Sequence, residues 1–181
     1  MYDFIQKKKS ENISKDIFKN ATYSLNLSGK NKNNPTQITM TGGNSKIGDF
    51  TICSLDNSAI NQKQKIGIAV VYCNYSASFT DIFLVTFKNL DSTPAQTDAI
   101  DLRKHSDLKS HDLDKVSVEN IALDSSNVIA INILVVPESL KDAPEYQKSA
   151  TEPVTIKYQL DNQGKLITKD QSRSFPKSKP A

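Results

Sequence analysis

Apolar and polar residues alternate with a period of two near the start of this chain. In 21–27, Ala21, Tyr23, Leu25 and Leu27 are apolar and the residues between them are polar, which is typical of a β-strand with one solvated face. Turn-forming Gly, Pro, Asn, Asp and Ser separate further strand-like stretches. These stretches predict strands at 36–41, 47–55, 65–73, 79–88, about 115–118, 127–136, 154–160 and 165–169.

The most apolar stretch, residues 65–90, is interrupted by "CNYSAS" and so falls into two runs of strand length. Each run is too short for a bilayer helix, and both faces of each run are largely apolar, which predicts two strands in the centre of a sheet. The small residues Gly67, Ala69 and Cys73 share one face. That face invites close approach by a second sheet or by an N-terminal helix bearing Ile13, Ile17 and Phe18.

Helical periodicity is scarce between the strands, which disfavours parallel units with crossover helices. The sequence therefore predicts an all-β fold, mainly an antiparallel β-sandwich or a Greek-key or jelly-roll-like barrel, with a short N-terminal helix and flexible basic tails. We expect the helix over 11–19, capped by Ser10. The predicted divisions are an N-terminal arm (1–20), one β-sandwich domain (21–169) with a long acidic connection (91–126) holding one strand or a short helix, and a C-terminal tail (170–181).

Two glycine positions predict turns. Gly42 and Gly43 lie in "TGGNSKIG", which lacks P-loop spacing and does not open a helix, so we interpret it as a tight turn rather than a phosphate site. Gly164, in "LDNQGKL", is expected to supply a positive backbone angle to a hairpin turn.

Charge is unevenly distributed along the chain. Residues 1–20 carry a net +2 and 163–181 a net +4, whereas 91–124 carry −4. Of the 23 basic residues only Arg103 and Arg173 are arginine, and bidentate reading of bases or phosphates favours the guanidinium group. This disfavours sequence-specific nucleic-acid binding and leaves open non-specific contact through the lysine-rich ends.

Cys53 and Cys73 are the two cysteines. A hairpin of 47–55 and 65–73 around "DNSAINQKQ" pairs positions whose numbers sum to about 120, which would place Cys53 near residue 67. We therefore expect free, buried thiols. The N-terminus shows no secretory apolar region, so we expect either synthesis without a signal or a trimmed exported protein, and the compartment stays undetermined.

The residues most suited to bind a metal ion are His105, His111, Asp107 and Asp112 in the acidic connection. Six positions apart, the two histidines diverge by about 120° on a helix or lie about 20 Å apart on a strand. We interpret them as solvated loop residues, and we assign no catalytic residue, metal or cofactor. Asp81 interrupts an apolar run, and we expect it to be exposed near the start of its strand, because a buried carboxylate would need a partner.

We therefore expect a non-enzymatic structural or protein-interaction subunit of a larger assembly, such as a capsid, tail or appendage. Protein partners or self-association would use oppositely charged surfaces, formed by Asp98, Asp101, Asp107, Asp112, Asp114, Lys7, Lys8, Lys9, Lys177 and Lys179. The first alternative is an exported domain that recognises a ligand or surface through its loops, and this hypothesis predicts a Cys53–Cys73 disulfide. The second is an enzyme with a loop-built His/Asp site.

Overall fold

The computed structural model describes residues 11–28, 34–75, 79–108, 110–111 and 115–167. In these residues the chain forms mostly antiparallel β-sheets, which confirms the predicted all-β class. The strands are β1 (Thr22–Leu25), β2 (Thr36–Thr39), β3 (Asn44–Ile47), β4 (Thr51–Asn61), β5 (Ile66–Tyr75), β6 (Phe79–Lys88), β7 (Ala95–Asp101), β8 (Ser117–Leu123), β9 (Val128–Val135) and β10 (Glu152–Gln159). Short 3-10 helices cover Lys15–Asn20, Leu102–Lys104, Ser106–Leu108, Glu138–Leu140 and Glu145–Gln147.

The strands form three sheets of simple connectivity. β1 and β2 pair as a hairpin, β3 to β7 form a five-stranded sheet in chain order, and β8 to β10 form a three-stranded sheet with β9 in the centre. Every ladder is antiparallel. β5 and β6 lie inside the five-stranded sheet, as their apolar faces predicted.

The two faces of the five-stranded sheet contact different layers. Ile66, Ile68 and Val70 pack with Ile129, Ile131 and other residues of the three-stranded sheet. On the opposite face Ala69, Val71 and Cys73 pack with the β1–β2 hairpin and with Phe18 of the helix Lys15–Asn20. Because successive strand residues point to opposite faces, β5 contributes to both clusters, which explains why it carries no polar face.

The small face of β5 was expected to approach a second sheet or the N-terminal helix, and at Gly67 it is the helix that comes close. A Cβ atom at this position would lie 2.5 Å from Cζ of Phe18 and 2.7 Å from Cδ1 of Leu90. Phe18 and Leu90 are 1% and 3% exposed, and the Phe18 ring also contacts the Phe87 ring with centroids 5.5 Å apart. These side chains therefore have little room to move.

Replacing Gly67 by alanine should lower the free energy of unfolding by about 1–3 kcal/mol, because overpacking outweighs the usual gain from removing a strand glycine. Urea unfolding measures the difference. In a Phe18→Leu background, where the ring is absent, the same change should cost less, since residues in contact are not additive. Equal costs in the two backgrounds would contradict this packing argument.

Two glutamine side chains bind the backbone of other segments through paired hydrogen bonds. The Gln96 side chain accepts a hydrogen bond from Ser24 N (2.8 Å) and donates one to Ser24 O (2.9 Å), which joins β1 to β7. Gln62 does the same for the backbone of Ile13, at 2.9 and 2.8 Å. The N-terminal segment is thereby fixed beside the turn between β4 and β5.

The predicted helix over 11–19 was wrong in its bounds and type. Its first residues form no helix, and the 3-10 helix begins at Lys15 with Ser14 as the N-cap, whose side chain accepts a hydrogen bond from Asp16 N. Gly42, Gly43 and Gly164 have positive φ angles of 60°, 89° and 72°, as the predicted turns require.

The stretch 91–126 was expected to be a long connection with one strand or a short helix, but it contains two whole strands, β7 and β8. β7 is an edge strand whose residues are all half-buried, and its polar side chains bind other parts of the protein. Thr97 Oγ1 donates to Gly164 O, and Asp98 Oδ2 accepts from Leu166 N at 2.9 Å. Because β7 is largely polar, its sequence did not show the apolar alternation that predicts a strand.

Candidate functional site

The turn between β3 and β4 presents two large apolar side chains to solvent. Phe50 is 77% exposed and Ile52 is 52% exposed. Gly48, with φ of 60°, begins the turn. Ile52 pairs with Lys46 on β3 and with Asn74 on β5, and these neighbours are also exposed. The hairpin therefore places apolar side chains at one end of the five-stranded sheet.

A disulfide lies directly behind this turn. Cys53 and Cys73 are directly opposite each other on β4 and β5 and are joined, with Cα atoms 4.1 Å apart. The prediction of free thiols was therefore wrong. Its cause is register: β4 continues to Asn61 through most of the stretch interpreted as a loop, so paired positions sum to 126 near the cysteines. The cross-link fixes the base of the hairpin that carries Phe50.

Beside the disulfide, on β6, lies a buried carboxylate. Asp81 pairs with Cys73 across the strands and is 1% exposed, so the prediction of an exposed Asp81 was wrong. It has partners from three segments: Ser28 Oγ donates at 2.6 Å, Tyr75 OH donates at 2.6 Å, and Arg103 Nη2 donates at 2.5 Å. Ser28 N also donates to it, at 2.8 Å. These contacts satisfy the buried charge.

Arg103 holds this network together from the helix Leu102–Lys104. Its guanidinium group also donates to both carboxylate oxygens of Asp101, at 3.1 and 3.0 Å, and to Thr80 O at 2.5 Å. Asp101 Oδ1 in turn accepts from Arg103 N and caps the helix. The charges are thus paired in a fixed geometry, which locks the start of β6 to the end of β7.

The electrostatics of Asp81 follow from these contacts. Burial raises the pKa of Asp81, but hydrogen bonds from Ser28 and Tyr75 and the charge of Arg103 outweigh it, so that the pKa lies below its usual value. Burial, followed by the hydrogen bond to Asp81, raises the pKa of Tyr75. Asp81 is therefore ionised and Tyr75 neutral at pH 7, which suits a structural anchor.

A third exposed apolar side chain lies at the same end of the molecule. Tyr146, in the helix Glu145–Gln147, is 84% exposed. Lys115, two residues before β8, donates from Nζ to Glu145 O at 2.6 Å and to Lys148 O at 3.1 Å. These bonds hold the helix close in space to the start of β8. The start of β8 lies beside the Phe50 end of the five-stranded sheet, because Val118 N donates to Tyr72 OH at 2.8 Å.

The far end of β8 confirms this orientation. Asp124 O accepts from Asn61 Nδ2 at 3.3 Å, and Asn61 is the last residue of β4. β4 and β8 therefore run in the same direction, with Phe50 and Tyr146 at one end and Asn61 at the other. We call this end of the molecule, toward which Phe50, Ile52 and Tyr146 lie, the apolar end.

The histidines considered for metal binding occupy different surroundings. His105 Nδ1 accepts from Asp107 N at 3.2 Å and lies 3.7 Å from Asp107 Oδ2, and its ring meets Tyr158 edge-on with centroids 4.9 Å apart. His111 Nδ1 is buried without a hydrogen-bond partner. Within the described ranges, no three His, Cys, Asp or Glu side chains are placed to hold a metal ion together; Asp112 lies outside those ranges.

Two of the predicted interaction residues make internal contacts. Asp98 binds the turn after β10, and Asp101 pairs with Arg103. Asp107 is exposed. The other predicted interaction residues lie outside the described residues, namely Asp112, Asp114, Lys7, Lys8, Lys9, Lys177 and Lys179.

A separate cavity of about 310 Å³ lies where the helix Lys15–Asn20 meets β4. Lys15, Lys19, Asp16 and Asp56 line it, and Asp16 is paired with Lys19 at 2.7 Å. The ladder between β4 and β5 is irregular here, between Leu55 and Asn57. Its charges are mixed, so it is not a selective site for an ion of either sign.

Sequence reasoning missed the residues of the apolar end. Phe50 and Ile52 were counted with a strand at 47–55, although Gly48 and Asp49 immediately before Phe50 are turn residues and signal a hairpin tip. Tyr146 follows Pro144 in a polar stretch and gave no periodic signal.

No helix among the described residues has the length and apolar character needed to cross a bilayer. Scans against models of protein families, curated proteins and solved structures find no match to this chain.

Proposed function

We propose that this protein is a non-enzymatic interaction subunit of a larger assembly and that it binds a protein partner through its apolar end. The observation that carries the proposal is the position of Phe50, Ile52 and Tyr146, the large hydrophobic side chains that are exposed among the described residues. They lie at one end of the molecule. Phe50 and Ile52 share one hairpin, and grouped exposed apolar side chains are typical of interaction sites, whereas scattered ones need no explanation.

The hairpin suits recognition because it is rigid. The Cys53–Cys73 disulfide ties its second strand, β4, to β5, and the network around Asp81 fixes β6 on the other side of β5. A side chain that is already ordered loses less conformational entropy on binding, so its burial contributes more to affinity. Aromatic anchors at the centre of an interface supply much of the binding energy in many complexes.

The disulfide supports an oxidising compartment, because such bonds form and persist mainly in exported or surface proteins. This favours an assembly outside the cytoplasm, and it equally suits the alternative of an exported recognition domain. In either case the five-stranded and three-stranded sheets would form the two layers of a β-sandwich, a proposal supported by the apolar cluster that they share.

Site-specific photo-crosslinking tests the proposal. The full chain would carry p-benzoylphenylalanine at position 50, or at the control position Lys63, which is exposed in the turn between β4 and β5 at the opposite end. We expect a discrete cross-linked protein product from position 50 in the cells that make this protein, and none from position 63. Absence of a product at position 50, or the same products at both positions, would count against the proposal.

A further inference from the structure

We propose that the apolar end binds the N-terminal segment, residues 1–6, of a second copy of this chain, so that copies join end to end. The inference rests on the proposed function and names the partner. The structure describes the chain from Glu11 onward, so this segment lies outside the described residues. Its sequence is "MYDFIQ", in which Tyr2, Phe4 and Ile5 are apolar.

Ile13, near the start of the described chain, lies at the end opposite to Phe50. Ile13 is held by two hydrogen bonds to the side chain of Gln62. Gln62 follows Asn61, the last residue of β4, and Phe50 precedes Thr51, the first residue of that strand. Ile13 and the apolar end of the same copy are therefore separated by the length of β4.

Chain length disfavours docking within one molecule. β4 has 11 residues, which corresponds to about 33 Å from its first Cα to its last. From Ile13 to Phe4 is nine residues, which span at most about 32 Å when fully extended. Phe4 would reach the hairpin only with the segment fully extended, which carries a large cost in conformational entropy, so docking onto the same copy is disfavoured. A second copy placed end to end brings the two surfaces together without this limit.

Charge is compatible with this occupant. The loop between β9 and β10, at the apolar end, exposes Glu138 and Asp142 on either side of Lys141, while Lys7, Lys8 and Lys9 directly follow the apolar residues of the segment. Asp3 stands between Tyr2 and Phe4, and the exposed Lys46 stands opposite Ile52 on β3. A neighbour's segment can therefore place apolar residues on Phe50, Ile52 and Tyr146 and its lysines near Glu138 and Asp142.

Such a contact joins two different surfaces of the same protein. Heterologous contacts of this kind continue from copy to copy and produce rings or open filaments, depending on the rotation between neighbours. Each copy would offer one segment and one apolar end. The contact is thus sufficient to build an assembly from a single chain.

Light scattering during size-exclusion chromatography tests the inference with two full-length variants. Phe50→Ser disrupts the apolar end, and Phe4→Ser disrupts the N-terminal segment that would bind it. We expect the wild type to exceed the monomer mass of 20.1 kDa and each variant alone to remain monomeric. An equimolar mixture should form a dimer of about twice the monomer mass, because each variant keeps the half that the other lacks. Circular dichroism and the urea midpoint verify folding, which a change at the exposed Phe50 should leave intact.

The failures are distinguishable. A monomeric wild type at every concentration, or association that survives in the Phe50→Ser variant, overturns the end-to-end contact. Association that is lost in Phe50→Ser and retained in Phe4→Ser overturns the segment as the occupant. The proposed function fails separately, when position 50 yields no cross-linked product.

Discussion

Replacing Arg103 by alanine should lower the free energy of unfolding by about 3–5 kcal/mol, the cost of removing one member of a buried ion pair. Asp81 is 1% exposed and would lose its cationic partner. Asp101 and Thr80 O would lose their hydrogen bonds from the same guanidinium group. Urea unfolding at pH 7 measures the loss.

The neighbouring exposed Lys104 supplies a matched control. Lys104→Ala should change the free energy of unfolding by less than about 0.5 kcal/mol, as surface substitutions usually do. Adding Asp81→Asn to Arg103→Ala should recover part of the loss, because the amide removes the unpaired charge. If Arg103→Ala costs no more than Lys104→Ala, the network does not stabilise the fold.

The effect of Arg103 should depend on pH in a defined direction. The pKa of Asp81 in the folded protein lies below its usual value, so its ionised form contributes stability above the unfolded pKa of about 3.9. That contribution is lost as pH falls from there through the folded pKa. The difference between wild type and Arg103→Ala should therefore shrink in acid, and a difference that stays constant down to the acid transition would contradict this assignment.

Replacing both Cys53 and Cys73 by alanine should lower the free energy of unfolding by about 3 kcal/mol. The cross-link spans 20 positions, and closing a loop of this size in the unfolded chain accounts for about that amount in the chain-entropy model. Urea unfolding of the oxidised wild type and of the double variant measures the difference.

Intact mass after alkylation under denaturing conditions provides the control for the cysteine state. We expect no alkylated thiol before reduction and two after reduction. Two alkylated thiols without reductant would show that the bond is absent in the purified protein. The wild type treated with reductant should then unfold near the midpoint of the double variant.

Apolar strands were predictable from sequence, and polar strands were not. β5, β6 and β9 bury apolar side chains on long runs, and their positions matched the prediction closely. β7 is an edge strand, and its polar residues Gln96, Thr97 and Asp98 bind other segments through their side chains. Hydrophobic periodicity cannot detect a strand whose side chains are held by hydrogen bonds.

One such error changed the prediction for the cysteines. The second half of β4 reads "DNSAIN" and was interpreted as a loop, yet Ser58 and Asn61 are buried within it. Asn61 is satisfied by Asn127, to which it donates at 2.9 Å. Extending the strand moves the turn and shifts the register by about six in the sum of paired positions, which brings Cys53 opposite Cys73.

The candidate site was less predictable than the fold because it depends on which residues remain uncovered. Phe50 and Ile52 have the same apolar character as core residues, and only the layers around them decide their exposure. Asp81 was misplaced for the related reason that its partners Ser28 and Arg103 are 53 and 22 positions away. Local sequence gives no indication of such contacts.

The glutamine contacts bear on whether strands of other chains can pair with this protein. A side-chain amide offers one donor and one acceptor in the arrangement of a peptide group, so Gln96 occupies the outward backbone groups of Ser24, and Gln62 those of Ile13. An incoming strand would have to displace these amides before it could pair there. At the border of β1 the protein therefore resists growth into a continuous intermolecular sheet, which protects this edge against aggregation.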